Sequence, residues 1–78
     1  KTQEVLERLL IHRLGRENKV LSALRDAGSA TLEQLLPVVY DEVSARLYPV
    51  AARSLLAHLI KLKGEGRVDE LRGSWSAA

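Results

Sequence analysis

Between Leu47 and Val68 the chain presents a helix start, a helix body, a stop and a strand in succession, and this stretch constrains the fold more than any other. Pro49 suits a first helical turn, where its missing N–H is one of the unsatisfied donors anyway. Ala51, Ala52, Leu55, Leu59 and Leu62 recur at helical spacing as one apolar stripe. Lys61 and Lys63 fall in the last turns, where positive charge suits the negative end of a helix. Gly64 and Gly66 supply the backbone freedom to stop. Val68-Asp69-Glu70-Leu71, Arg72-Gly73 and Ser74-Trp75-Ser76 then read as two short strands about a turn. Trp75, the only tryptophan, is expected to anchor this ribbon, with Val68 on the opposing strand as its neighbour.

Two helices are expected upstream. The first runs from about Thr2 to Ala27, with Val5, Leu6, Leu9, Leu10, Leu14, Val20, Leu21 and Leu24 as its stripe and Glu4 and Arg8 as an i,i+4 pair. Gly15 costs about 1 kcal/mol relative to alanine and marks either a bend or a boundary. Unbroken, this helix is about 39 Å long at 1.5 Å per residue, so its first half is expected to project past the core. The second helix opens on Thr31-Leu32-Glu33-Gln34 as a capping box, runs to about Tyr40 and buries Leu32, Leu35, Leu36 and Val39, with Pro37 shortening or kinking it. Ser29-Ala30-Thr31 is assigned a short first strand and Asp41-Glu42-Val43 a linker. Ser44 to Tyr48 is assigned an extra turn capped by Ser44. Three helices and a small antiparallel β wing make a mainly α fold, a single winged-helix domain over residues 1–78, of which 1–14 are a linker or docking part of the first helix.

Composition narrows the function. The 46% apolar content of this 78-residue chain suffices for one core. A domain of this size buries only about 60% of its unfolded surface and is marginally stable. No cysteine is present, so neither disulfide nor thiol chemistry is available; a reducing, cytoplasmic setting is expected. No signal peptide is visible, and no apolar run approaches the roughly 20 residues of a membrane span. A net charge of +2 permits nucleic-acid binding without implying it. The chain holds no methionine, even at position 1, and opens in helical sequence, which predicts a piece of a longer protein.

Catalytic chemistry finds little purchase. His12 and His58 sit on different helices without further ligands at metal spacing, so the expectation is a partly buried, hydrogen-bonded His58 beside the apolar stripe. There is no nucleophile elbow, and Gly64-Glu65-Gly66 is a helix stop rather than a phosphate cradle. The ten acidic residues are expected at the surface, with no acid–base pair among them. The chain is thus expected to carry no catalytic residue, metal site or cofactor of its own.

Binding is the sharper question. Stepping about 100° per residue from the stripe, the outward residues of the third helix are Val50, Arg53, Ser54, Ala57, Ile60 and Lys61. Arg53 and Ser54 can reach base edges, with Lys61 for phosphate and Arg67 and Arg72 on the wing. Val50, Ala57 and Ile60 instead form an apolar outer patch, which suits a protein contact. Nucleic-acid binding is therefore expected to be weak. The candidate docking residues are Val5, Leu6, Leu9, Leu10, Val50 and Ile60, and a homodimer through the first helix is one outcome.

His12-Arg13-Leu14-Gly15-Arg16-Glu17, Val20-Leu21, Ala23-Leu24, Thr31-Leu32-Glu33-Gln34-Leu35 and Val39-Tyr40 form a set with Ala52-Arg53-Ser54-Leu55-Leu56-Ala57-His58-Leu59, Lys61-Leu62, Glu65-Gly66-Arg67-Val68 and Trp75. This set resembles the winged-helix domain that follows the catalytic fold in metallo-β-lactamase-like hydrolases. Ser44 departs from the pattern, since relatives often have proline there. The resemblance implies a parent hydrolase with a dinuclear zinc site on a His-x-His-x-Asp-His motif, which this chain does not contain. It also implies a C-terminal position beside the mouth of the catalytic domain, which is then the partner, and a role in substrate access. Some relatives are endoribonucleases. The rival reading, from another class, is a free-standing winged-helix DNA-binding regulator.

Overall fold

A computed structural model describes the backbone from Thr2 to Ala78 and side chains from Gly15 onward. The order is α1 (Thr2–Ala27), β1 (Ala30–Thr31), α2 (Leu32–Val39), a 3₁₀ turn (Ala45–Leu47), α3 (Tyr48–Gly64), β2 (Val68–Leu71) and β3 (Ser74–Ala77). The strands form an antiparallel sheet in the order β1-β3-β2. This is a winged helix, with α2 and α3 joined by a longer connection than a tight helix-turn-helix. No helix among the described residues is long and apolar enough to cross a membrane.

Local chemistry sets the boundaries. Thr31 caps α2 by a reciprocal pair: its backbone N–H donates to Gln34 Oε1 at 2.9 Å, and the Gln34 N–H donates to Thr31 Oγ1 at 3.2 Å. Pro37 lies inside α2, and the helix ends at Val39, with Tyr40 as its C-cap. Ser44 caps the 3₁₀ turn through the Arg46 N–H. Gly66, at φ 74°, stops α3. Its N–H donates to the Lys63 carbonyl and that of Arg67 to the Leu62 carbonyl, the crossed pair that closes a helix end with a left-handed residue. Gly15 breaks nothing: α1 is one helix through it. The side chains of Val5, Leu6, Leu9, Leu10, His12 and Leu14, and the Glu4–Arg8 pair, lie outside the described residues.

The core gathers one stripe from each helix. Val20, Leu21 and Leu24 of α1, Leu35, Leu36 and Val39 of α2, and Ala51, Leu55, Leu59 and Leu62 of α3 are all buried. Ala30, Val68 and Trp75 close this cluster from the sheet; Leu32 and Ala52 are only half-buried against it. Trp75 sits on the central strand, paired with Ala30 on one side and Glu70 on the other. Val68 pairs with Ala77 and is the diagonal neighbour of Trp75, because the two-residue Arg72-Gly73 turn sets Leu71 opposite Ser74 and fixes the register from there.

The β2–β3 turn is strained at one residue. Arg72 (φ 53°) and Gly73 (φ 83°) both adopt positive φ, as the favoured two-residue hairpin turns require. Gly73 does so freely and its N–H donates to Glu70 Oε2 at 2.7 Å, but Arg72 carries a Cβ into the left-handed region. Arg72→Asn, which restores the preferred Asn-Gly pair, is expected to raise stability by about 0.5–1 kcal/mol in chemical denaturation. A lower denaturation midpoint would contradict this turn geometry.

Candidate functional site

Among the described residues two polar side-chain assemblies join α1 to the rest, and a groove lies beside one of them. The first is a buried ion cluster. Glu17 is only 2% exposed. His58 Nδ1 lies 3.0 Å from its Oε2, and Lys61 Nζ lies 3.0 Å from each of its carboxylate oxygens. Burial pushes the Glu17 carboxyl up, but the hydrogen bonds and charges of Lys61 and His58 outweigh it and hold the group below its ordinary value of 4.5. An ionised carboxylate only accepts hydrogen bonds, so Nδ1 of His58 carries the proton in this pair. Glu65 adds a looser contact to Lys61 at 3.8 Å.

The cluster corrects two expectations. The acidic residues are not all at the surface: Glu17 stands three, four and seven residues before Val20, Leu21 and Leu24, on the buried stripe itself. Lys61 is not free for phosphate, because its ammonium is committed to Glu17. His58 is partly buried and hydrogen-bonded, its side chain 12% exposed. The arrangement ties α1 to α3, and among the described residues no group of three or more His, Cys, Asp or Glu side chains is placed to hold a metal.

The second assembly clasps the 41–43 linker to α1. Arg16 donates to the Val39 carbonyl at 2.9 Å and to the Glu42 carboxylate, and its guanidinium lies 4.2 Å from the centre of the Tyr40 ring. Lys19 reaches Asp41 at 2.6 Å. The Arg16 hydrogen bond, with help from the backbone of Glu42 itself and from Asp41, lowers the Glu42 carboxyl to about 2. The hydrogen bond to Asp41 raises the Lys19 ammonium above its usual value.

Beside this clasp is an open groove of about 240 Å³, lined by Arg16, Tyr40, Val43, Leu47, Val50, Ala51 and Ser54. Its walls are almost wholly apolar. Among the described residues the buried Tyr40 hydroxyl finds no hydrogen-bond partner. An unpaired buried hydroxyl costs about 1–3 kcal/mol, so Tyr40→Phe is expected to leave stability unchanged or raise it by about 1 kcal/mol. A clear drop in melting temperature would show that the hydroxyl is satisfied in solution.

The residues singled out in the sequence separate in space. Val50 and Ser54 line the groove; Arg53 and Ile60 lie on the same helix outside it, Ile60 57% exposed. Arg67 sits 3.8 Å from Glu65, and Arg72 occupies the exposed hairpin tip. Of the candidates for nucleic acid, Arg53, Ser54 and Arg72 have no ion-pair or hydrogen-bond partner among the other described side chains. Sequence reading missed Arg16, Tyr40 and Leu47, because the groove forms where three separated segments meet.

The beta-lactamase associated winged helix domain family matches residues 31–75, more than half of the chain, and the chain belongs to that family. Its association is therefore with a β-lactamase-fold domain.

Proposed function

We propose that the chain is the C-terminal accessory domain of a metallo-β-lactamase-fold hydrolase, packing on the catalytic domain and helping to shape substrate access. The family match over residues 31–75 carries this reading. The outer surface of α3 agrees with it: Val50 is 66% and Ile60 57% exposed, an apolar presentation that a protein contact uses and a phosphate backbone does not. Zinc and the hydrolytic residues then belong to the catalytic domain, and the chain contributes shape.

Removal of the domain from the hydrolase is the test. The truncated enzyme is expected to keep its zinc and its turnover on a minimal substrate while KM for the natural substrate rises. Unchanged KM with zinc retained would remove the access role.

The same surface predicts poor DNA binding. Duplex titrations at physiological salt are expected to give dissociation constants no tighter than about 10⁻⁶–10⁻⁴ M, without sequence preference. A tighter, sequence-selective complex weakened by Arg53→Ala would instead make the chain a DNA-binding regulator.

A further inference from the structure

We draw no further inference here: the strongest candidate, the buried Glu17–His58–Lys61 cluster between α1 and α3, has both carboxylate oxygens taken by its own partners and belongs to the packing of α1 on α3 already described.

Discussion

Trp75→Ala is expected to lower the stability of this domain by about 3–5 kcal/mol, the usual cost of truncating a buried tryptophan. Small domains are held by only about 5–15 kcal/mol in total, so the variant should be partly unfolded near body temperature. The reason is position. Trp75 lies on the central strand, 8% exposed, with β1 on one side and β2 on the other. Removing the indole leaves Ala30 and Glu70 facing a void and loosens both sheet edges from the helices at once. Thermal melting followed by circular dichroism checks this. A shift of only a degree or two would mean that the ribbon is not anchored through Trp75.

Glu17→Gln should be the next most damaging change, at about 1.5–3 kcal/mol, the range for hydrogen bonds to charged groups. Glutamine keeps the shape but not the charge, and its amide nitrogen faces the donors of His58 and Lys61. The effect depends on pH in a definite direction. Glu17 titrates below its ordinary value of 4.5 in the folded chain, so its contribution is present above about pH 4.5 and is lost as pH falls through the folded-state value. The gap between wild type and Glu17→Gln should therefore be widest near neutrality and close below pH 4.5. Glu42, lowered to about 2, is present in both proteins, and its own acid titration cancels in the comparison. A gap of constant size from pH 7 to pH 3 would show that the carboxylate is not ionised in the fold.

These two residues mark the limit of what the sequence discloses. Elements governed by neighbours in the chain were legible: the Thr31–Gln34 capping box, the Gly66 helix stop, the Ser44 cap and the Arg72-Gly73 turn each act within a few residues. The buried stripe of α3 and the described part of the α1 stripe, Val20, Leu21 and Leu24, were legible for the same reason, since helical period alone fixes them. Glu17 was not, although its place on the stripe of Val20 and Leu24 is a local signal that a buried carboxylate was due. What the stripe cannot supply is the partner: His58 and Lys61 lie 41 and 44 residues away. The groove was half legible for a similar reason. Val50 and Ser54 follow from the outward face of one helix, whereas Arg16, Tyr40 and Leu47 join them only through tertiary packing. The family resemblance read from scattered short motifs is matched over residues 31–75.

Sequencing the intact protein upstream of Lys1, with its zinc content measured on the same sample, is the decisive measurement. A catalytic domain bearing His-x-His-x-Asp-His and close to two zinc ions per chain is the predicted result. A native polypeptide with no such motif and no bound zinc would contradict the assignment.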